Sequence, residues 1–326
     1  MLTVAQIGVG YWGPNLLRNL AVNKRCTVKT VVDLSTERRE YVRRSYPAIQ
    51  VTDDLESVLQ DSEIDAAIIA TPVATHFDLA TRVLNTGKNV LVEKPLATSV
   101  KEVDEIAEIA KDRNLVAMVG HTFLFSPPVR YVKALLDSGA LGEVRYIYSQ
   151  RLNLGQLRPD VDALWNLAPH DVSIIQYWLD DPTPLSVSRH GAAYVQQDID
   201  DVVFLNITYP NKTVAHIHVS WLDPRRVRMM VITGTKKMVV YDDTAENKIA
   251  IFDKGIDQII QPKPHSFPPS FTYRSGDVLM PKLDSHEPLR LEIDHFFDCV
   301  TNGTDCLTGP RHARKVVQIL SSAQQL

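Results

Sequence analysis

The chain of 326 residues has few cysteines, no long apolar run and no marked excess of one charge sign. Its three cysteines, Cys26, Cys299 and Cys306, lack metal-ligand spacing, so no bound metal is expected, and such a low, odd count is typical of a reducing compartment. No apolar stretch approaches the roughly 18 residues of a membrane-spanning helix, and no signal-peptide pattern precedes the first strand. A net charge of −4 gives no basic footprint for nucleic acid or an anionic membrane. These absences predict a cytoplasmic protein without nucleic-acid or membrane partners.

Glycine is also scarce, with 14 residues, but three of them stand together near the start as Gly8, Gly10 and Gly13. A short apolar strand pattern precedes them and a helical pattern follows. In a Gly-x-Gly-x-x-Gly turn the first glycine permits the tight turn, the second lets the backbone approach a pyrophosphate, and the third lets the helix pack on the strand. The pattern predicts a dinucleotide site, although a glycine turn without a ligand is the alternative.

Asp33 ends the second strand pattern of the chain. An acidic residue at this place accepts hydrogen bonds from the ribose hydroxyls and repels a 2′-phosphate, so Asp33 predicts NAD rather than NADP. Arg38 and Arg39 follow just downstream and weaken the argument against NADP, because a guanidinium group can pair with a phosphate. Tyr11 and Trp12 lie inside the glycine turn and are expected to line the cofactor site.

The order of the strand and helix patterns predicts two domains, at 1–122 and 123–326. Alternating strands and helices in the first predict an N-terminal Rossmann domain, an α/β fold with a parallel sheet. Successive strands in the second predict a C-terminal α+β domain with a large, open, mostly antiparallel sheet. Two closing helices, near 287–301 and 310–323, are candidates to pack on the first domain. The proline-rich segment 255–286 lacks periodicity and is predicted to be a long loop.

Glu93, Lys94 and Pro95 directly follow an apolar strand of the first domain. The fold places Lys94 at the carboxyl edge of the sheet, where ligands of such sheets bind. There a lysine can orient a substrate hydroxyl or stabilise a developing alkoxide. The alternative is a solvated lysine before a proline turn.

A helical pattern in the second domain contains Asn166, Pro169 and His170. Asn166 and His170 are one helical turn apart and share a face. Pro169 is expected in the first turn of this helix, where a missing N–H costs nothing. A histidine is a suitable proton acceptor near neutral pH, and a capping or core histidine is the alternative.

Taken together, these motifs resemble the Gfo/Idh/MocA family of oxidoreductases over nearly the whole chain. The motifs are the glycine turn, Asp33, Thr71-Pro72-x-x-x-His76, Glu93-Lys94-Pro95 and the second-domain helix with His170. The resemblance implies hydride transfer between a nicotinamide cofactor and a sugar or cyclitol carbon. It implies Lys94 and His170 as catalytic residues, and it places a further group beside the cofactor, namely Thr71, Pro72, His76 and Glu93.

The chain departs from the family pattern at two places. Asn166 stands where the family often has an acidic residue, so it keeps a hydrogen-bonding role toward a sugar hydroxyl and lacks the charge. Proton transfer is therefore assigned to His170 with Lys94. The stretch after Gly120 has no arginine before Pro127, so substrate specificity cannot be carried over from the commoner members.

Finer features are similar to family members that act on nucleotide-activated sugars. These features are Gly10-Tyr11-Trp12-Gly13-Pro14-Asn15, Leu164–Asp171 and Ser220–Pro224. The resemblance implies oxidation of the C3 hydroxyl of a nucleotide-activated amino sugar, with UDP-N-acetylglucosamine as the expected substrate. The 3-keto product would serve amino-sugar biosynthesis for lipid A or polysaccharide, and a homodimer or homotetramer is expected. Alternatives are a UDP-N-acetylglucosaminuronate 3-dehydrogenase, a dTDP-deoxysugar 3-ketoreductase and a non-catalytic NAD-sensing protein.

Arginines of the second domain are candidates to bind the nucleotide pyrophosphate, because a guanidinium group pairs bidentately with phosphate. Solvated strand residues are the alternative for those that alternate along a strand. The candidates are Arg151 and Arg158, followed by Arg225, Arg226 and Arg228.

Overall fold

The computed structural model describes residues 1–259 and 270–323, which divide into two compact units. The first unit consists of Met1–Ser126 and His286–Ser321, and the second contains the described residues of Pro127–Ser285. The chain leaves the first unit after Ser126, whereas the predicted boundary is 122. The two closing helices, named in the sequence as candidates to pack on the first domain, group with the first unit.

The first unit is built on a six-stranded sheet in which every pairing is parallel. Its strands are β1 (Leu2–Ile7), β2 (Cys26–Val32), β3 (Gln50–Thr52), β4 (Ala66–Ile69), β5 (Asn89–Glu93) and β6 (Ala117–Gly120). The order is β3-β2-β1-β4-β5-β6, so the direction of the strand sequence reverses between β1 and β4. Ligands of such sheets bind outside the carboxyl ends of the strands at this reversal. The sequence missed β3, which has only three residues.

Helices follow most strands of the first unit. The helices of the chain are α1 (Gly13–Val22), α2 (Thr36–Ser45), α3 (Glu56–Leu59), α4 (His76–Asn85), α5 (Val100–Asp112), α6 (Pro127–Asp137), α7 (Ala163–Trp178), α8 (Pro288–Asn302) and α9 (Pro310–Ser322). Ser99 begins α5 with a capping box to Glu102, because each side chain bonds the other residue's backbone N–H. Over 1–259 and 270–323, every helix is too short or too polar to cross a bilayer.

The second unit contains an eight-stranded sheet in the order β14-β13-β12-β11-β7-β10-β9-β8. Its strands are β7 (Val144–Leu154), β8 (Ser186–Ala192), β9 (Val202–Thr208), β10 (Val214–Ser220), β11 (Leu222–Gly234), β12 (Met238–Asp242), β13 (Ile249–Ile259) and β14 (Ser270–Leu279). All pairings are antiparallel except that of β7 with β10. The mostly antiparallel sheet predicted from the sequence is therefore present.

The long loop predicted over 255–286 is wrong over 255–259 and 270–279, because β13 continues to Ile259 and pairs with β14, whereas 280–286 is a loop as predicted. Residues 260–269 of that prediction lie outside the described residues. The strand was missed because Phe271 and Tyr273 are exposed, 54% and 77% respectively. A strand without a buried face does not show the alternation on which strand prediction depends.

Helix α7 begins earlier than the sequence indicated. Asp162 is its N-cap and accepts a 2.9 Å hydrogen bond from Trp165 N–H. Pro169 therefore lies inside the helix, and the prediction that it occupies the first turn is wrong. The proline cannot donate to the carbonyl of Trp165, so surrounding packing must offset that loss. Most of α7 is buried, which supplies this packing.

A buried ion pair joins α7 to β7. The Arg151 guanidinium donates to both carboxylate oxygens of Asp171, at 2.7 and 3.2 Å, and Ser149 Oγ donates to the same carboxylate at 2.7 Å. Arg151 and Asp171 are only 6% and 1% exposed. Breaking such a pair leaves a buried charge without compensation, which lowers the stability of the folded protein far more than loss of an exposed pair does.

Replacing Asp171 by alanine is therefore expected to lower the free energy of unfolding by roughly 3–5 kcal/mol. The matched control is Asp160→Ala, which removes the partner of the more exposed Arg158 and is expected to cost about 1 kcal/mol or less. Urea unfolding of both variants measures the difference. Equal losses in the two variants would contradict the importance of the buried pair.

Candidate functional site

The glycine turn closes against the end of the neighbouring strand. Gly8 has φ +91°, and a Cβ there would lie 2.6 Å from the carbonyl oxygen of Ala70, just after β4. A Cβ on Gly13 would lie 2.7 Å from the Gly8 carbonyl oxygen. Both positions therefore exclude every side chain, as the sequence predicted from the turn pattern.

Gln6 holds the two ends of this turn together. Its role was not predicted from the sequence. Its side-chain amide donates to the carbonyl oxygens of Gly8 at 3.0 Å and Gly13 at 2.8 Å. The side chain is fully buried in β1. A glutamine at an otherwise apolar strand position is the signal that could have revealed it, because a buried amide needs hydrogen-bond partners.

Gly10 differs from the other two glycines because only the end of a flexible side chain lies near its Cα. The nearest atom to a Cβ built on Gly10 is in the flexible Arg38 guanidinium, at 3.4 Å. Helix α1 follows, and its N-cap residue, Trp12, makes no side-chain hydrogen bond to the first turn. In that turn Pro14 has no N–H, and Asn15 N–H donates to the Trp12 carbonyl oxygen at 2.9 Å. An approachable backbone before a helix start without a side-chain cap fits a bound pyrophosphate.

Asp33 is buried at the end of β2 and braces the same turn. One carboxylate oxygen accepts from Val9 N–H and the other from Ser35 N–H, both at 2.8 Å. Arg38 Nη1 lies 3.8 Å from the carboxylate, and Arg39 donates to the backbone carbonyl of Asp33. The carboxylate is thus fixed beside the glycine turn, the place where NAD-binding folds contact the adenosine ribose.

His76 connects the loop after β4 to the turn after β5. One ring nitrogen lies 2.7 Å from the carbonyl oxygen of Pro95, and the other lies 2.9 Å from that of Thr71. Thr71 Oγ1 and Thr75 Oγ1 are hydrogen-bonded at 2.7 Å. His76 is 1% exposed, whereas Pro72 is exposed. His76 therefore fixes both loops at the edge of the sheet.

Glu93 and Lys94 end β5 at the carboxyl edge of the sheet. The Glu93 carboxylate accepts from the backbone N–H of Lys94 at 3.3 Å and from the indole N–H of Trp12. Burial raises the pKa of Glu93 to about 7, although Lys94 acts in the opposite direction. Trp12 therefore links the glycine turn to the Lys94 turn, while Tyr11 is 90% exposed.

Further ionisable residues are buried near Glu93. Glu292 of α8 is fully buried, and it accepts a 2.9 Å hydrogen bond from Thr122 Oγ1. Burial, and then the nearby Glu93, raise the pKa of Glu292 well above its usual value. The ring of His121 lies 5.4 Å from that of His312, and burial lowers the pKa of His121 well below its usual value.

Glu292 was not predicted from the sequence, although an acidic residue on an apolar helix face is a recognisable pattern. The apolar face of α8 repeats at helical spacing and contains one acidic residue. The buried residues of this face are Leu289, Glu292, Ile293, Phe296, Phe297 and Cys299. A carboxylate on such a face must find polar partners in the core, and Thr122 supplies one.

In the second unit, Asn166 and His170 are one turn apart on α7, as predicted. Both are half-buried. The Trp221 indole N–H donates to Asn166 Oδ1 at 3.3 Å, which orients the amide, and Ser173 Oγ donates to the His170 carbonyl oxygen at 2.9 Å. Lys94 belongs to the first unit and His170 to the second.

The arginines predicted to bind phosphate differ in their environments. Arg151 is buried with Asp171, so its guanidinium is used within the protein and its predicted substrate contact is withdrawn. Arg158 pairs with Asp160 near the surface, and Arg228 lies 3.4 Å from Asp243. Arg225 and Arg226 are exposed, as are many arginines without a ligand.

A parallel sheet of order 3-2-1-4-5-6 with this glycine turn and Asp33 defines a dinucleotide-binding fold. Residues 2–121 match the NAD-binding Rossmann fold of the Gfo/Idh/MocA oxidoreductase family, and residues 129–240 match that family's C-terminal domain. The chain belongs to the Gfo/Idh/MocA family, and its cofactor is NAD. The family resemblance drawn from the sequence is thereby confirmed.

Curated relatives of this chain carry several different names. It is 27% identical to scyllo-inositol 2-dehydrogenase (NAD(+)) of Bacillus subtilis over 92% of this chain and 86% of that protein. It is 28% identical to UDP-N-acetylglucosamine 3-dehydrogenase of Acidithiobacillus ferrooxidans, over 76% of each. The first three relatives found are matched over only 58 to 66% of their own lengths.

Solved structures agree with the fold. The structure of GenD2 from gentamicin A biosynthesis, in complex with NAD, superposes with a TM-score of 0.83. Its sequence identity to this chain is 24%, with 99% of this chain and 93% of that chain covered. At this identity the match supports the fold alone.

The raised pKa of Glu292 predicts a pH-dependent stability difference from the Glu292→Gln variant. The folded protein holds this proton more tightly than the unfolded chain, so the contribution is favourable below pH 4.5 and is lost as pH rises toward the folded pKa. Above pH 4.5 the variant is expected to gain on the wild type by up to about 1.4 kcal/mol per pH unit.

Urea unfolding at several pH values between 4.5 and 8 measures this difference. Glu105→Gln, on the exposed face of α5, is the control and should show no such trend. A stability difference between wild type and Glu292→Gln that is independent of pH would show that Glu292 is ionised in the folded protein.

Proposed function

We propose that this protein is an NAD-dependent dehydrogenase that oxidises the C3 hydroxyl of a nucleotide-activated amino sugar. The observation that carries the proposal is Lys94, fixed at the carboxyl end of β5 beside Glu93 and on the same sheet edge as the glycine turn. Bound NAD supplies the hydride acceptor for such an oxidation. UDP-N-acetylglucosamine is the proposed substrate, and the working form is proposed to be a cytoplasmic homodimer or homotetramer.

Lys94 is proposed to stabilise the negative charge that develops on the substrate oxygen. A lysine ammonium group carries a compact positive charge, and electrostatic stabilisation is most effective where the environment excludes water. Glu93 is held by Trp12 and by the Lys94 backbone, so the main chain at Lys94 has a fixed position. The half-buried side chain then needs little reorganisation when charge develops.

His170 is proposed to accept the proton of the hydroxyl group. A neutral imidazole accepts a proton readily near neutral pH, and the position of His170 on a well-packed helix fixes its backbone. Asn166, on the same face, is proposed to hydrogen-bond a neighbouring sugar hydroxyl. Its amide is oriented by Trp221 and carries no charge, so it does not compete for the proton.

Support for a nucleotide-sugar substrate comes from a relative's name and from surface arginines. The Acidithiobacillus ferrooxidans relative acts on UDP-N-acetylglucosamine by its name. Arg158, Arg225 and Arg226 lie at or near the surface of the second unit, where guanidinium groups can reach a pyrophosphate. Arg151 is excluded from this role because Asp171 holds it.

Formation of NADH, followed by its absorbance, tests the substrate proposal directly. The panel should contain UDP-N-acetylglucosamine, UDP-N-acetylglucosaminuronate, dTDP-deoxysugars and a free inositol. UDP-N-acetylglucosamine is expected to give the highest kcat/KM and a 3-keto product by NMR. A preference for the inositol would place the protein with the cyclitol dehydrogenases, and absence of turnover with every compound would favour an NAD-sensing role.

Lys94→Ala is expected to bind NAD normally and to lose at least about a hundredfold in kcat, because charge stabilisation is lost only in the transition state. His170→Ala should show a comparable loss and a changed pH profile. Steady-state kinetics and NAD titration provide both readouts, with Lys101→Ala, on exposed α5, as the control. Near-normal kcat in Lys94→Ala would exclude the proposed role.

A further inference from the structure

Two cysteines and a histidine meet where α8 ends and the following loop turns toward α9. The sulfur atoms of Cys299 and Cys306 and a ring nitrogen of His295 all lie within 4.8 Å of one another. His295 and Cys299 are one turn apart on α8, and Cys299 Sγ lies 3.4 Å from His295 Nε2. Both cysteines are free thiols. The cluster is separate from the residues assigned to NAD.

The histidine is arranged as a proton acceptor for the two thiols. Leu307 N–H donates to His295 Nε2 at 3.0 Å, which requires a lone pair on that nitrogen. In this arrangement Nε2 carries a lone pair and lies 3.4 Å from Cys299 Sγ, so it can accept a thiol proton. The hydrogen bond from Cys306, together with His295, lowers the pKa of Cys299 to about 5. Because His295 lies next to its sulfur atom, Cys299 is the better placed of the two cysteines to act as the thiolate, with Cys306 as its proton-bearing partner.

The pair is accessible from the surface through Cys306. Cys299 is only 4% exposed, but Cys306 is half-buried and lines a surface cavity of about 350 Å³. The cavity wall is mainly apolar, with Lys111 and Arg311 also contributing. A small uncharged oxidant can enter such a cavity and reach Cys306, whose sulfur atom lies within 4.8 Å of Cys299 Sγ.

The same three side chains do not form a favourable metal site. Zinc in proteins is usually held by four ligands, whereas the described residues offer three here. Two thiols with an adjacent base need no further ligand, so the arrangement fits thiol chemistry better than metal binding.

We propose that Cys299 and Cys306 form a reversible intramolecular disulfide when the protein meets a hydroperoxide, with His295 as the proton acceptor. The Cys299 thiolate attacks the terminal peroxide oxygen, so that an S–O bond forms, the O–O bond breaks, and the alcohol or water that leaves takes a proton from solvent. Cys306 then gives its proton to His295 and attacks the Cys299 sulfur atom, so that the S–S bond forms and the S–O bond breaks. His295 returns this proton to the departing hydroxide, which leaves as water. The two sulfur atoms lose two electrons and the peroxide gains them.

The disulfide would act on a loop that is bonded to the Rossmann sheet. The backbone N–H of Val119, in the edge strand β6, donates to the carbonyl oxygen of Thr308 at 2.9 Å, and Thr308 is fully buried. Cys306 precedes this bond by two residues, and His121 follows Val119 by two. Drawing Cys306 toward Cys299 therefore pulls on a segment that contacts the strand beside the Lys94 turn.

Treatment of the purified full-length protein with hydrogen peroxide tests the proposal. After denaturation, the number of titratable thiols is expected to fall from three to one, and dithiothreitol should restore all three. Peptide mass spectrometry should find Cys299 joined to Cys306 within one chain. Three remaining thiols, a disulfide between chains, or overoxidation without a cross-link would each overturn the proposal, as would one equivalent of tightly bound metal in the purified protein.

Variants separate the roles of the three residues. Cys306→Ser should stop at a sulfenic acid on Cys299 that dimedone traps, and His295→Gln should slow disulfide formation by about tenfold while leaving the product unchanged. The matched control is Cys26→Ser, because Cys26 is buried, donates to the Leu20 carbonyl, and has a pKa raised by burial to about 11. This variant should still lose two thiols. An unchanged rate in His295→Gln would remove the histidine from the proposal.

Discussion

The close approach of two strand ends at Gly8 is the constraint on which the rest of the cofactor unit depends. The carboxyl end of β1 meets that of β4 so closely that a Cβ on Gly8 would lie 2.6 Å from the Ala70 carbonyl oxygen. Gln6 holds the turn closed by donating hydrogen bonds to the carbonyl oxygens at both of its ends. Because the turn is fixed, Asp33, the start of α1 and Trp12 are all held in position at the carboxyl edge of the sheet.

A second set of contacts connects the glycine turn to the loops that follow β4 and β5. Trp12 bonds Glu93, and His76 bonds the loops that follow β4 and β5. Glu292 lies buried near Glu93, and their mutual repulsion together with burial raises the pKa of Glu292. The carboxyl edge of this sheet therefore contains more ionisable groups than a nucleotide-binding turn needs, which is common at sites of proton chemistry.

Sequence patterns predicted best where one local rule decides the outcome. The glycine turn depends on the absence of a Cβ, so it can be predicted from the sequence alone. Prediction failed where distant contacts override local preference. Pro169 lies within α7 because the helix is buried, and β14 forms by pairing with β13, although its apolar side chains are exposed.

The sequence by itself determined the fold class, the NAD-binding turn with Asp33, and Lys94 at the end of a parallel strand, because these features follow from residue type and short spacing. Only the tertiary structure decided that Arg151 is buried with Asp171, that Glu292 approaches Glu93, and that His295 meets the thiols of Cys299 and Cys306. The physical reason is that the partner of a charged or polar group is set by burial. Packing brings residues that are distant in the chain into one environment of low polarity.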